Sequence, residues 1–471
     1  MTMIQRRFNK PLAQVIRVFI VMLATVATTA IGMQAQPKSI LDKTIFVDYG
    51  ERFHADAYVV PSETSDSAYV AVFFRMSNDF LTFKKVTDPN DVGGNYKAPM
   101  AVGIEVRDTL GVIRKRVRWD GTAYTNVYEE TNNKNKFHYG WSLFKIGEGS
   151  YNIALEVLEQ KESASKRITI PVVSFNPSRK LRQLTAPIFA EPVARGGVEL
   201  LRLYVFSGNI SFGSRDAKAL VLLSDTTDVD YDYIIVQRPY GIRDIRWWQV
   251  SDVRGSIVSS TTRFPRVSSQ ATTSEPFLEI KESPEVDRPI ALVEIPVPVT
   301  ALVPGNYELL LIRTGTTDTL HMPFQIVWEM MPLSLRNIDY AMNLMKYLLT
   351  EDQLDSLDEG SDMDRRLRLM DWWRKDDPSP TTTFNERMAE YYRRIDQAFY
   401  AFSTIQEPDG ANTERAKIYV LYGPPTEIQK ELPVNGEPVE IWLYKNKVSK
   451  RFTFAIDDAG IFKLRKIEPI Q

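Results

Sequence analysis

The stretch DWWRKDDPSPTTTFNERMAEYYRR, from Asp371 to Arg394, gathers carboxylates, guanidinium groups, two tryptophans and two prolines in one short span. Asp376 and Asp377, with Glu414 further along the chain, are the carboxylates best placed for acid–base chemistry. Arg374, Arg394 and Arg415 are the cations that could accompany them. Two carboxyl groups held about 5–10 Å apart can cleave a glycosidic bond, one protonating the leaving oxygen while the other attacks or activates water. The competing reading is architectural. Asp377, next to Pro378, holds a turn, and Arg394 pairs with Glu414 across a helix–sheet seam. Gly423-Pro424-Pro425 is likewise a rigid exit from a strand, because it lacks the successive glycines and the lysine of a phosphate-cradling loop.

The residue inventory narrows the chemistry. The 471-residue chain has no cysteine, which excludes thiol nucleophiles, cysteine-ligated metals and N-terminal lipoprotein acylation. The three histidines, His54, His138 and His321, are far apart and none lies beyond residue 321. A Ser–His–Asp machine or a zinc site in the last third is therefore excluded, and neither cofactor nor metal is expected. Each histidine sits in a strand-like stretch and reads as structural. Lys and Arg number 58 against 60 Asp and Glu, a balance without the basic excess of a nucleic-acid binder.

Residues 1–35 have the form of a secretory leader. Arg6, Arg7 and Lys10 open it, the apolar run VFIVMLATVATTAIG spans Val18 to Gly32, and MQA offers a small-residue exit at Ala35. The run is short for a bilayer, so a cleaved signal is expected rather than an anchor, with the mature chain starting near Gln36. Export to the periplasm, the cell envelope or the extracellular space follows, with no membrane span after cleavage.

The elements that must position any site come next. From about 40 to 330 the chain reads as short strands at spacings near ten residues, among them SAYVAVFFRM, AVGIEVRD, GVIRKRVRW, YNIALEVLE and RITIPVVSF. Turn clusters such as DPNDVGGN separate them, and no amphipathic helix intervenes. An internal echo divides the region. Gly149-x-Tyr151 and Gly305-x-Tyr307 each open an apolar strand, and each is followed by a turn and a strand with a central proline, Pro171 or Pro323. Those prolines belong on edge strands or bulges. The tyrosines match the corner tyrosine of immunoglobulin-like sandwiches. Two sandwiches are expected, at 36–176 and 177–330, with the Ser/Thr-rich span 253–276 as a long loop in the second. Trp247 and Trp248 point to opposite faces of a strand, so at most one could stack on a sugar.

Near 333 the period changes to helical. Ile338, Met342, Met345 and Leu349 form one stripe, and Met363, Leu367, Met370 and Trp373 or Arg374 another. Thr350 with Gln353, and Thr383 with Glu386, have capping-box form. The latter opens a helix whose apolar stripe is Met388, Tyr391, Ile395 and Phe399. The opening stretch is thus a helix stop, a Pro-x-Pro turn and a helix start. Strands return in AKIYVLYG, VEIWLYKN, RFTFAIDDAG and IFKLRKI, so 331–471 reads as an α+β unit of helices and then a small antiparallel meander.

This last region resembles the GWxTD domain, a bacterial domain of exported or envelope-associated proteins. The likeness rests on Trp373 with Asp377, Pro378, Asn385 and Glu386; on Tyr392 with Arg394; on RAKIYVLYGPPTEI, carrying Arg415, Tyr419, Gly423, Pro424 and Pro425; and on EIWLY, with Trp442. The signature itself reads Gly410-Ala411-Asn412-Thr413-Glu414, with alanine for tryptophan and glutamate for aspartate. The resemblance implies compartment and domain limits and no activity. Two classes of function remain. One is a non-catalytic envelope protein that binds a protein or glycan partner through its sandwiches and its C-terminal domain. The other is a carboxylate-dependent hydrolase of a cell-wall or extracellular glycan, using Asp377 and Glu414.

Overall fold

The computed structural model describes residues 52–62, 67–158, 167–175, 182–183, 186–224, 227–238, 251–282, 290–432, 438–445 and 448–470. The expected leader and the Trp247–Trp248 pair lie outside the described residues. The architecture is mainly β, with several sheets and a C-terminal run of helices followed by a small antiparallel sheet. One compact unit comprises Asp48–Pro332 with Leu348–Tyr391. A second comprises Leu333–Tyr347 and Tyr392–Gln471.

In the first unit, strands β1 (Phe53–Pro61), β2 (Ala68–Ser77), β3 (Lys84–Lys85) and β4 (Tyr96–Asp108) are followed by β5 (Ile113–Thr125), β6 (Phe137–Ile146), β7 (Gly149–Leu158) and β8 (Arg167–Phe175). They form two sheets, β1-β2-β6 and β3-β4-β7-β8, with β5 on the other side of β4. Val102, Ile104 and Val106 of β4 and Ile153, Leu155 and Val157 of β7 alternate inward, as period-two patterning requires. They meet the almost wholly buried β1 and β2.

The next strands are β9 (Arg182–Gln183), β10 (Ile188–Arg195), β11 (Val198–Leu203), β12 (Ile210–Ser211), β13 (Ala217–Ser224) and β14 (Asp230–Arg238). After them come β15 (Val253–Val258), β16 (Arg263–Val267), β17 (Phe277–Glu282), β18 (Ala291–Val297), β19 (Gly305–Arg313) and β20 (Thr319–Val327). A seven-stranded sheet in the order β16-β17-β11-β10-β13-β18, with β9 on β13, faces a five-stranded one in the order β12-β20-β19-β14-β15. Phe189, Ala219, Val221, Val293 and Ile295 fill the core between them. The opposite face of the same sheet carries Ile188, Ala190, Leu220, Leu222 and Leu292, which belong to the core of the first pair of sheets. One hydrophobic cluster therefore runs across residue 176.

The Ser/Thr-rich span 253–276 is a loop only in part. Val253–Val258 and Arg263–Val267 are strands, the first alternating between half-buried and exposed. Valine, isoleucine and phenylalanine carry these strands, while most of the Ser and Thr residues cluster at 259–262 and 268–274 outside them, so composition averaged over the span hid the strands.

The repeated Gly-x-Tyr does the same work twice. The Tyr307 hydroxyl donates to Val303 O at 2.9 Å and accepts from Val303 N at 3.1 Å. The Tyr151 hydroxyl donates to Gly147 O at 3.2 Å, in an exposed setting. Pro171 lies on the edge strand β8 where its register against β7 shifts. Pro323 lies on β20, whose outer neighbour β12 reaches only Ile326 and Val327.

A polar centre interrupts the apolar packing of β1 and β2. An Asp56 carboxylate oxygen accepts the Ser207 backbone N–H at 3.1 Å, and Ser207 adopts a left-handed φ of 54°. Arg75 lies over the rings of Phe137 and Phe206 and reaches Glu329 at 2.6 Å. His54 is 3.3 Å from the Ser207 hydroxyl and 4.0 Å from Glu329.

The helices are α1 (Leu333–Arg336), α2 (Ile338–Asn343), α3 (Glu351–Leu357), α4 (Asp362–Arg374), α5 (Glu386–Ala401) and α6 (Glu414–Tyr422). The last sheet runs β21 (Glu427–Glu431), β22 (Val439–Tyr444), β23 (Lys450–Ile456) and β24 (Phe462–Pro469), a meander in chain order. Asp457 to Gly460 make its final turn: the Gly460 N–H donates to Asp457 O, and the Asp457 carboxylate accepts from Ala459 and Ile461.

Two expectations fail here. The stretch 333–349 is not one helix but α1, α2 and a 3₁₀ turn at Leu344–Tyr347, because Asn337 caps a new start by accepting Tyr340 N. AKIYVLYG is the body of α6, not a strand. Thr413 caps it, Glu414 sits in its first turn and Gly423 ends it at φ 82°. These end signals outweigh the β propensity of its Ile, Tyr and Val residues.

Tyr307→Phe should cost about 1–2 kcal/mol in urea denaturation, because it strands two buried backbone groups. Tyr151→Phe, whose partner is reached by water, should cost well under half of that. Equal losses would mean that the two corners are not ranked by burial.

Burial pushes the Asp56 carboxyl from 3.8 up to about 7, against the pull of the backbone N–H groups of Gly208, Ser207 and Phe206 and of nearby Arg75. The folded chain therefore keeps a proton, between those two values, that the unfolded chain releases. The stabilisation is complete below pH 3.8 and is lost as the pH rises to about 7. Asp56→Asn cannot ionise and should flatten the fall of Tm with pH across that window, as read by calorimetry. An unchanged slope would contradict the assignment.

Candidate functional site

In the first unit, α4 ends at Arg374, four residues before Pro378, where the proline ring disfavours a helical predecessor. Trp373 is buried and packs on Tyr391 with ring centres 5.2 Å apart, while Trp372 is half-buried. Met370 is buried with it, but Met363 and Leu367 are exposed. The buried face of α4 is Arg366, Leu369, Met370 and Trp373. The stripe read from apolar residues alone was out of phase, because a buried arginine does not score as apolar.

The turn after α4 engages its acids locally. The Asp377 carboxylate accepts the Ser379 N–H at 2.8 Å, the Ser379 hydroxyl donates to Glu386 at 3.0 Å, and Asp376 pairs with Arg387. The capping residue of α5 is Asn385, not Thr383. Asn385 Oδ1 accepts Met388 N at 2.8 Å, and its amide nitrogen donates to Trp373 O at 2.8 Å. One side chain thus starts α5 and holds the end of α4. Thr383 is used elsewhere, its hydroxyl donating to Leu302 O at 2.6 Å. The expected stripe of α5 is buried throughout: Met388, Tyr391, Ile395 and Phe399.

In the second unit the signature residues build a corner. Asp409 accepts the Ala411 N–H at 3.0 Å and the Tyr340 hydroxyl at 2.8 Å, fixing a 3₁₀ turn at Gly410–Asn412. Gly410 is pressed against the end of α5. A Cβ there would lie 2.4 Å from Ser403 N and 2.5 Å from Ala398 O, so only glycine fits. Ala411, where the family pattern has tryptophan, is fully buried, and its carbonyl accepts the Tyr347 hydroxyl at 2.5 Å.

Thr413 is the cap of α6. Its hydroxyl accepts Ala416 N at 3.1 Å and donates to Gly410 O at 2.9 Å. Glu414 accepts the Leu464 N–H of β24 at 2.6 Å, with Lys463 at 3.8 Å.

Next to the signature, Arg415 is buried over the Phe462 ring at 3.7 Å and the Phe402 ring at 5.1 Å, with Glu440 at 3.8 Å. Burial lowers its pKa, opposed by the nearby charges of Glu440 and Glu407. Glu440 in turn accepts the indole N–H of the buried Trp442 at 2.8 Å. Arg394 donates to Val420 O at 3.1 Å, on the last turn of α6. The Gly423 N–H donates to Tyr419 O at 2.7 Å, and the Tyr444 hydroxyl donates to Gly423 O at 2.7 Å. The expected Arg394–Glu414 pair does not form. Each residue binds backbone instead: Arg394 takes a carbonyl in the last turn of α6, whose end groups need partners, and Glu414 takes an N–H of β24. Tyr392 donates to Ala341 O at 3.1 Å and Tyr419 to Gln397 at 2.9 Å. Pro424 is exposed and Pro425 half-buried.

Asp377 belongs to the first unit and Glu414 to the second. Each is already bound to backbone N–H groups. Among the described residues no group of three or more His, Cys, Asp or Glu is placed to hold a metal. Sequence reasoning missed three contributors. Asp409, before a glycine, carried a turn signal that went unused. Asp396 accepts Leu333 N at 2.6 Å and Ser334 N at 2.9 Å, and burial raises its pKa despite those bonds. Glu440 sits under Trp442. Asp396 has no local signal, since Leu333 and Ser334 are distant in sequence, and the burial of Glu440 depends on the likewise distant Arg415 as well as on Trp442 two residues away.

The family model of the GWxTD domain matches residues 308–465. The region that resembles that domain in sequence carries it, and the match begins within β19, ahead of the helices. No curated protein matches the chain.

Gly410→Ala should destabilise by at least about 2 kcal/mol, since backbone rather than a flexible side chain must move aside. Asn385→Ala should cost about 1–2 kcal/mol for the cap and the bond to Trp373. Thr383→Ala should leave α5 capped and cost less. Chemical denaturation ranks the three, and a Thr383 variant costing more than the Asn385 variant would refute the cap assignment.

Proposed function

We propose that this GWxTD-domain protein is an exported bacterial envelope or extracellular protein of the non-catalytic, binding or structural type, engaging a protein or glycan partner through its sheets and its C-terminal domain. The observation that carries this reading is the use of every candidate acid for architecture. Asp377 holds a turn, Asp376 pairs with Arg387 and Glu414 tethers β24. A glycosidase acid must present its carboxyl oxygen to the substrate, and the carboxylates of Asp377 and Glu414 are already engaged with backbone N–H groups of the fold. Asp377 and Glu414 as the catalytic pair of a hydrolase therefore have the weaker support. Export is supported by the basic start and apolar run of residues 1–35. No helix among the described residues is long and apolar enough to cross a membrane.

Intact-mass measurement of the protein from its native compartment should show a chain beginning near Gln36, and Met1 retained in a membrane fraction would contradict export. Asp377→Asn and Glu414→Gln should both lower Tm and leave no glycan-hydrolysing activity to lose. Turnover of a cell-wall glycan that either substitution abolishes at unchanged Tm would establish the hydrolase instead.

A further inference from the structure

We propose that the outer edge of β5 is a docking site for an extended acidic segment of a partner protein, which adds to the sheet as one more strand. The inference rests on the binding-protein reading and supplies it with a surface and a partner chemistry.

β5 is 13 residues long, and β4 is its only hydrogen-bonded strand among the described residues. Every residue from Ile113 to Arg118 is exposed. A strand in this position presents a row of backbone donors and acceptors along its outer side, the template that strand addition uses. The bulge opposite Arg107 interrupts the ladder at one end, so the regular docking register starts at Lys115.

The side chains along the edge select the partner. Between Gly103 and Asp120 the β4–β5 hairpin carries five basic residues against three acidic ones. Arg116 stands opposite Glu105, and Arg118 opposite Gly103, with Arg118 paired to the exposed Asp120 at 2.9 Å. A cavity of about 370 Å³ opens on this face, lined by Gly103, Glu105, Arg116, Arg118 and Glu156. On the other face Lys115 and Val117 continue the rows of Val106 and Ile104 but lie exposed, beyond the buried part of the sheet.

The existing ion pairs do not close the surface. Arg114 with Asp108 at 2.7 Å and Arg116 with Glu105 at 3.4 Å leave both arginine side chains more than half exposed, at 59% and 67%. Pairs this exposed contribute little and exchange readily for a better-placed carboxylate. A second copy of this edge would set arginine against arginine, which disfavours pairing between copies. The same row that repels a copy attracts a strand with acidic residues at alternate positions.

The test uses the full mature chain and a fluorescein-labelled nine-residue peptide alternating glutamate and threonine, followed by fluorescence anisotropy. Binding is expected, weakened at least about tenfold by Arg114→Glu/Arg116→Glu and held within about threefold by the corresponding double lysine variant. Melting curves should show all three proteins equally folded, since both side chains are exposed. The same peptide N-methylated at alternate amides should lose at least about tenfold, because strand addition needs its backbone hydrogen bonds. No binding of the parent peptide, equal binding of the N-methylated one, or equal competition by an acidic polysaccharide would each overturn the proposal. Any of these, with the Asp377 and Glu414 variants still inert towards glycans, would leave the binding-protein reading standing and move its surface elsewhere.

Discussion

A sheet whose two faces are both covered can place no charged side chain at its centre, and the seven-stranded sheet of the first unit is built under that constraint. Along β13 the odd-numbered residues Ala217, Ala219, Val221 and Leu223 fill one core, while Leu220 and Leu222 fill the other. β18 repeats the pattern with Val293 and Ile295 against Leu292. Such strands read as continuous apolar runs rather than alternating ones. They tie the two sandwich cores together, since removing one leucine here opens a cavity that two layers must close. The polar centre, with Asp56 on β1 and Arg75 on β2 beside Glu329, lies on the neighbouring three-stranded sheet, and it persists because each of those groups meets a donor, an acceptor or an aromatic face.

The C-terminal domain solves a different problem with different means. All its helices but α4 and α5 are short, and a short helix has nearly as many unpaired end groups as internal bonds. Asn337, Ser361, Asn385, Asp409 and Thr413 each accept a backbone N–H at such an end. Asp396 serves the start of α1 from a distant position on α5, and Arg394 serves the end of α6. The aromatic cluster of Phe402, Trp442 and Phe454 supplies the apolar area, with ring centres 5.0–5.4 Å apart.

Much of this was legible from local pattern. Strands with clean alternation, the paired Gly-x-Tyr corners, the edge prolines and the stripe of α5 follow from period and from the chemistry of single residues. The failures share one cause, which is that the deciding partner lay far away in sequence. α6 looked like a strand because its branched and aromatic residues were weighed without its capping threonine. α4 was phased on methionine and leucine because nothing nearby showed that Arg366 would be buried. Thr383 looked like a cap because the carbonyl that claims its hydroxyl belongs to Leu302. The Arg394–Glu414 pair was charge matching, whereas the fold uses both groups on backbone.

That outcome bears on what the signature can mean. Gly410 is excluded from bearing a side chain by the end of α5, Thr413 is spent on a cap, and Glu414 is bound to the backbone of β24. Ala411 fills its buried site without the bulk of a tryptophan, so the corner holds through its hydrogen bonds rather than through that ring. Residues committed in this way can be shared by proteins with unrelated partners, because they specify a backbone and leave its surface open. What distinguishes one such protein from another must then lie in side chains that the fold does not consume. In this chain the exposed residues Ile113 to Arg118 of β5, whose arginines stay solvent-exposed in their ion pairs, are of that kind.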